Sequence, residues 1–322
     1  MLNTKIDTDT NIDPIEQALI HATDIQESER NEMLKNYLKL KTEKVNILIT
    51  GGTGVGKSTT INALFDKSIA KVGISSQPET MHIQQYELGN ITIWDSPGLG
   101  DTVENDKRHA QGINTLLSKK DPKGNPLIDL VLVILDGSQR DYGTSYALIE
   151  DLILPLLGND AADRVLIAIN QADMVMKGRN WDFAKHQPMP QLLNMLENKA
   201  QSTRNRILAN TGIDITPIYY SAGYYDGTEQ MPSYNMAKLY HFILNHIPSE
   251  KRLTVNMGSN RDMYKSKNDE LEQEIINIKE ILNKTIEKEI GERAPKVLDT
   301  VLNALVSAGK FLLNKILPFK LF

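Results

Sequence analysis

The chain has 322 residues, 40% of them hydrophobic, and a net charge of −5. This length allows one large domain with appendages or two modest ones, and the acidic balance argues against bulk attraction to nucleic acid, leaving only a local basic patch as a route to it. Cysteine is absent, so a disulfide framework, a thiolate nucleophile and a cysteine-ligated metal are excluded, and a reducing, cytoplasmic location is expected.

The opening, MLNTKIDTDTNIDPIEQ, lacks a basic start and an apolar stretch, so no secretory leader is expected. Uninterrupted apolar runs stay below the roughly 18 residues of an ordinary membrane span. Residues 1–43 read as an N-terminal helical extension. After a polar start, Ile15, Leu19, Met33, Leu34, Tyr37 and Leu38 recur at helical spacing among charges. Strands and helices then alternate through residues 44–248. The predicted strands are KVNILIT, MHIQQYEL, ITIWD, IDLVLVILD, RVLIAIN and ITPIYYSA. Gly89-Asn90 joins the second and third as a hairpin turn, giving one antiparallel pair. The others predict a mostly parallel, doubly wound α/β sheet covered by helices, with its ligand site at the C-terminal strand ends.

Residues 249–322 form a C-terminal helical region. Leu271, Ile275, Ile278 and Leu282 are spaced by four, three and four, but Thr285 and Glu289 end the seam, and Gly291 and Pro295 punctuate it. In the last predicted helix, Asp299, Asn303, Ser307, Lys310 and Asn314 make one narrow polar stripe between Val297 and Leu317. Its apolar face docks on the N-terminal helices or the preceding helix, or it meets a partner protein or a membrane surface, to which Lys310, Lys315 and Lys320 would add attraction.

Chemistry concentrates first in NILITGGTGVGKSTTINALF, residues 46–65. A branched, buried-strand pattern breaks into glycines and resumes as a helix. The pattern G-x-x-x-x-G-K-[ST] is met by Gly51, Gly56, Lys57 and Ser58. Gly52, Thr53, Gly54, Val55 and Gly56 would turn their N–H groups inward around phosphates, with the start of the helix at Lys57, Ser58 and Thr59 behind them. Lys57 would reach the terminal phosphates and the Ser58 hydroxyl would hold Mg²⁺. In WDSPGLGD, Asp95 ends a strand, where an acid can hold Mg²⁺ through water, and the Gly98 N–H can bond a γ-phosphate. In VLIAINQAD, the Asp173 carboxylate can accept from both N1–H and the 2-amino group of guanine, while Asn170 braces the loop. In YYSAG, the Ala222 N–H could bond the guanine O6, with Ser221 shaping the turn. The histidines show no metal-ligand spacing, and Met174 and Met176 read as packing beside the guanine loop.

With these four motifs in order at successive strand ends, the sequence resembles the P-loop GTPases of the translation-factor-related class, among them the Era-like, septin-like and Toc-like members. GGTGVGKSTTINALF, WDSPGLGD, DLVLVILDGSQRDYGTS and NQAD are similar to bacterial and prophage-associated GTPases of the YfjP/YeeP type, over roughly residues 44–248. The resemblance implies GTP and GDP as ligands, Mg²⁺ as the metal, and hydrolysis of GTP to GDP and phosphate in a switch. Regulation would come from a homodimer through G domains or from a partner. The alternatives are a septin-like assembly module with little turnover and an Era-like, ribosome- or RNA-associated factor. Pro78-Glu79-Thr80 resembles the Pro-x-Thr of Era-like relatives, in which Thr80 would close on Mg²⁺; Ser75 or Ser76 are alternatives, or the hydroxyls solvate a loop. Arg140 is either a solvated loop arginine, paired or not with Asp141, or one supplied to a neighbour's phosphates across a dimer. Two residues depart from the resemblance. Gln171 stands where a lysine usually covers the nucleoside, and Leu99 stands where a glutamine usually orients the attacking water.

Overall fold

The computed structural model describes residues 13–65, 71–74, 83–100, 102–224, 231–260, 263 and 270–306, with the backbone alone at 71–74 and 304–306. Two helices lead in, α1 (Pro14–Ile20) and α2 (Glu27–Leu40). Asp13 caps α1 with its carboxylate, accepting the N–H groups of Ile15 and Glu16 at 3.0 Å each. Next come β1 (Val45–Gly51), α3 (Lys57–Leu64), β2 (Lys71–Ile74), β3 (Gln84–Leu88), β4 (Ile91–Asp95), α4 (Val103–Leu117) and β5 (Leu130–Asp136). A helical stretch follows as α5 (Gly143–Ala147), a wide π turn (Leu148–Ile153), α6 (Leu154–Leu157) and α7 (Ala161–Arg164). The domain is completed by β6 (Val165–Asn170), the short β7 (Trp181–Asp182) and β8 (Gln187–Pro188), α8 (Pro190–Thr211), β9 (Ile218–Tyr219) and α9 (Met236–His246). The C-terminal helices are α10 (Arg252–Met257), α11 (Leu271–Glu289) and α12 (Ala294–Val306).

The main sheet runs β2-β3-β4-β1-β5-β6-β9. From β4 to β9 every pairing is parallel, whereas β2–β3 and β3–β4 are antiparallel. Every residue of β1 and β6 is buried, as expected of strands covered on both faces. The parallel α/β sheet and the Gly89-Asn90 hairpin follow the sequence reading. Three features differ from it. A second antiparallel strand, β2, pairs at the edge in a stretch where the sequence predicted no strand. ITPIYYSA pairs with its sheet neighbour only through Ile218 and Tyr219, because the chain then leaves the sheet to form the turn at Ser221–Gly223. A two-stranded ribbon, β7–β8, stands apart from the main sheet.

The chain visits β1, passes to β4 on one side, and then crosses to β5 on the other. The switch in direction therefore falls at β1, and the loops beyond the C-terminal ends of β1, β4, β5 and β6 share one crevice. On one side of the sheet, a single apolar cluster joins Ile15, Leu19 and Tyr37, the inward side of β1 and β5, α9, and Ile278, Leu282, Ile286, Leu298 and Leu302. The N- and C-terminal helices thus lie on the same face and touch. The Asn36 side-chain amide donates to the Ile290 carbonyl at 3.1 Å, and Arg293 faces Glu29 at 3.5 Å. The Thr285 of the broken seam is buried with its neighbours. Of the last predicted helix, the described part docks with Leu298 and Leu302 fully buried, and residues 307–322 lie outside the described residues.

Candidate functional site

The loop between β1 and α3 is built around glycine. Gly56 has a left-handed φ of 89°, and a Cβ there would sit 2.3 Å from the Asn170 amide nitrogen. A side chain at Gly56 would therefore be strained and would displace Asn170. At the end of β4, Ser96 donates its N–H to the Ile49 carbonyl at 3.0 Å and its hydroxyl to Thr50 at 2.9 Å. The turn then continues along the glycine loop. Leu99 donates its N–H to the Gly51 carbonyl at 3.2 Å, and Thr53 donates its N–H to the Leu99 carbonyl at 3.0 Å. A Cβ at Gly98 would lie 2.5 Å from the Cα and hydroxyl of Thr53, so only glycine lets the two loops approach this closely.

Lys57 bends over its own loop, donating to the carbonyl of Gly52 at 3.0 Å and of Gly51 at 3.4 Å. Burial pushes its ammonium below the ordinary lysine value, an effect that the charge of Asp95 partly offsets. Asp95 is 8% exposed and sits opposite Ile49 in the parallel pair. Thr53, Gly54 and Ser58 are exposed, Gly52 and Thr59 half-buried and Val55 buried.

Asn170 is the join between loops. Its side-chain amide donates to the Val55 carbonyl at 2.8 Å, and its side-chain oxygen accepts the Ala222 N–H at 3.1 Å. Gln171, with a left-handed φ of 60°, donates its side-chain amide to the Gly54 carbonyl at 3.0 Å. Asp173 follows in a single 3-10 turn, half-buried, with buried Ala172 beside it. Met176 packs under this turn, whereas Met174 is largely exposed. Ser221 and Ala222 are both nearly buried, and Ser221 is held by a two-way backbone pairing with Tyr234. The structure therefore brings together Gly52–Thr59, Asp95, Gly98, Asn170, Gln171, Asp173, Ser221 and Ala222 around one crevice. Thr80, together with Ser75, Ser76, Pro78 and Glu79, lies outside the described residues.

Arg140 is exposed on the loop beyond β5, at the same end of the sheet, since Asp136 pairs with Asn170 in register. Asp141 accepts the Gly143 N–H at 3.0 Å, closing a turn. Lys199 of α8 fixes this loop by donating to the Gln139 carbonyl and lying 4.9 Å from the centre of the Tyr142 ring. Sequence reasoning missed two further supports. Thr60 donates its hydroxyl hydrogen to the Gly56 carbonyl at 2.9 Å and so accepts from the Tyr220 hydroxyl across 2.7 Å. Tyr220 is wholly buried behind the glycine loop, and burial pushes its phenol up. A single-sequence signal for this brace does not exist, because Thr60 and Tyr220 are 160 residues apart.

Residues 46–171 match the sequence profile of a family described as 50S ribosome-binding GTPase. Translocase of chloroplast 108 from Physcomitrium patens is 36% identical over 102 residues, spanning 30% of this chain and 10% of that protein. Septin-12 from Bos taurus is 34% identical over 92 residues, spanning 24% of this chain and 26% of its own length. The chain thus spans about a tenth to a quarter of the curated relatives it matches. Among solved structures, a probable GTP-binding protein engB superposes with a TM-score of 0.38 at 19% identity, covering 63% of this chain and 98% of that one.

Proposed function

We propose that residues 46–171, which match a GTPase family profile, form the core of a P-loop GTPase G domain, and that the protein carrying it binds GTP and GDP with Mg²⁺ and hydrolyses GTP slowly, as a switch. The observation that carries this reading is Asn170. One side chain ties the phosphate-binding loop at Val55 to the base-side loop at Ala222, so that the ends of a nucleotide would be held by loops with a common brace. Kinship with YfjP/YeeP-type GTPases rests on the four quoted motifs.

The residues fit the metal. Ser58 and Asp95 offer oxygen alone, the donor type that a hard divalent cation takes, and Mg²⁺ commonly uses one or two protein ligands and completes its shell from phosphate and water. Bound there, Mg²⁺ would neutralise charge on the phosphates. Lys57 would leave the Gly51 and Gly52 carbonyls for the phosphate oxygens. The N–H groups of the glycine loop would supply the remaining donors. Asp173 would accept from the guanine edge, whereas the Ala222 N–H is committed to the Asn170 side-chain oxygen at 3.1 Å and would have to leave it to meet O6.

Slow turnover follows from Leu99. Its side chain is 7% exposed and packs in the core, while its backbone is bonded to Gly51 and Thr53. An apolar side chain held this way cannot orient water. Help must come from another group, and Arg140, exposed at the same edge, is the residue that a second G domain would deliver. The same observation supports a second reading, a septin-like assembly module in which nucleotide props up a dimer. Single-turnover hydrolysis measured across protein concentration separates the two. A rate that climbs with concentration supports the switch, and negligible hydrolysis in a nucleotide-bound dimer supports the module. Equal affinity for ATP and GTP would overturn both.

A further inference from the structure

The stretch from Gln171 to His186 is unusual in its backbone. Among the described residues, four of the five non-glycine positions with left-handed φ lie between 171 and 186: Gln171, Lys177, Asn180 and His186. Such conformations cost energy and persist where surrounding structure holds them. Here the holding is visible. Trp181, at the start of the β7–β8 ribbon, is 6% exposed and meets Tyr234 edge-on at 5.5 Å, in a small core with Ala172, Leu192 and Leu196. The Asp182 carboxylate then closes the tip by accepting the N–H groups of Ala184 and Lys185 at 3.0 Å.

This scaffold presents Phe183 with 64% of its surface exposed. It does so beside the base-side loops: Phe183, His186 and Tyr224 line one cleft with Asp173, Ser221 and Gly223. Tyr224 is itself 48% exposed. The cleft therefore combines a carboxylate suited to the donor edge of a purine with two aromatic rings suited to its faces. Gln171, which the resemblance would lay over the nucleoside, has its amide committed to the Gly54 carbonyl. We propose that Phe183 and Tyr224 flank the purine held at Asp173 and supply base affinity through stacking. The proposal rests on the guanine-nucleotide reading above.

The test uses the full chain and calorimetric titration with GDP and, separately, with inorganic pyrophosphate, which has no base. Phe183→Ala and Tyr224→Ala should each weaken GDP about tenfold, the order expected for loss of one base–aromatic stack, and leave pyrophosphate binding unchanged. Phe183→Trp should keep GDP affinity near that of the wild type. Wild-type GDP affinity in Phe183→Ala would overturn the proposal while leaving the guanine-nucleotide reading intact, and would make the exposed ring a protein-docking feature instead. Equal loss of GDP and pyrophosphate binding would also overturn it, because the defect would then lie in the fold or the phosphate loop. If the wild type binds pyrophosphate but neither GDP nor GTP, both readings fall together.

Discussion

At Asn170 one side chain satisfies two backbone groups on different loops. Asn170→Ala leaves the Val55 carbonyl and the Ala222 N–H without this partner, and a buried polar group left unmet costs about 1–3 kcal/mol. GDP affinity should fall at least tenfold and the melting temperature should drop; calorimetry and a thermal melt check both. Asp173→Asn tests a different property. An amide presents a donor where the carboxylate accepted two bonds, so preference should move from guanine toward xanthine nucleotides, as read by competition between GDP and XDP. Lys57→Ala removes a side chain whose ammonium donates to the Gly51 and Gly52 carbonyls of its own loop. It should abolish tight GTP binding while circular dichroism stays unchanged, and full GTP affinity in that variant would count against the phosphate-loop assignment.

At the scale of elements, the C-terminal region is pinned to the sheet by a buried ion pair. Asp129, just before β5, accepts from Lys251 at 2.7 Å and from the Asn46 N–H at 2.9 Å. The two side chains are 7% and 15% exposed. Burial lifts Asp129 above the ordinary carboxylate value even with Lys251 against it. Lys251→Ala should cost about 3–5 kcal/mol, because it strands a buried charge. The sign of the pH dependence follows. A carboxylate whose folded value is raised favours folding below its unfolded value and loses that contribution as pH rises through the folded one. The penalty of Lys251→Ala should thus be largest at neutral pH and shrink in acid, where Asp129 takes a proton. Denaturant melts of both proteins across that range measure it, and a pH-independent difference would show that Asp129 carries no uncompensated charge.

For the whole molecule, the terminal helices share one apolar cluster with the sheet and α9. Ile278, Leu282, Ile286, Leu298 and Leu302 are each essentially removed from water, and each is worth roughly 1.5–3 kcal/mol relative to exposure. Deleting residues 271–306 should leave an insoluble or unfolded protein; a soluble, cooperatively melting, GDP-binding fragment would show instead that the G domain stands alone. On the proposed function, turnover is also a whole-molecule property. GTP hydrolysis per molecule should rise with protein concentration, and Arg140→Ala should flatten the rise with little change in GTP affinity. An arginine delivered to the phosphates is worth on the order of 10³-fold or more. Specific activity that stays constant with concentration would move the missing help to an outside partner.

By itself the sequence determined what short-range chemistry can encode. Buried strands such as Val45–Gly51 and Val165–Asn170 announce themselves by unbroken branched apolar runs, and the phosphate loop by glycines whose spacing few other structures require. The Gly89-Asn90 hairpin and the parallel order were legible for the same reason, since turn chemistry and alternation are local. Tertiary structure alone decided the rest. The Lys71–Ile74 edge strand exists because β3 offers it a partner, and its four residues carry too little pattern to be read. The seam of α11 runs on through Thr285 and Ile286 because other helices cover it, although its sequence breaks the heptad. Thr60 meets Tyr220, Trp181 meets Tyr234 and Asn36 meets Ile290 across distances in sequence that local propensity does not span. In each case burial and a long-range partner, rather than any nearby residue, fix the geometry.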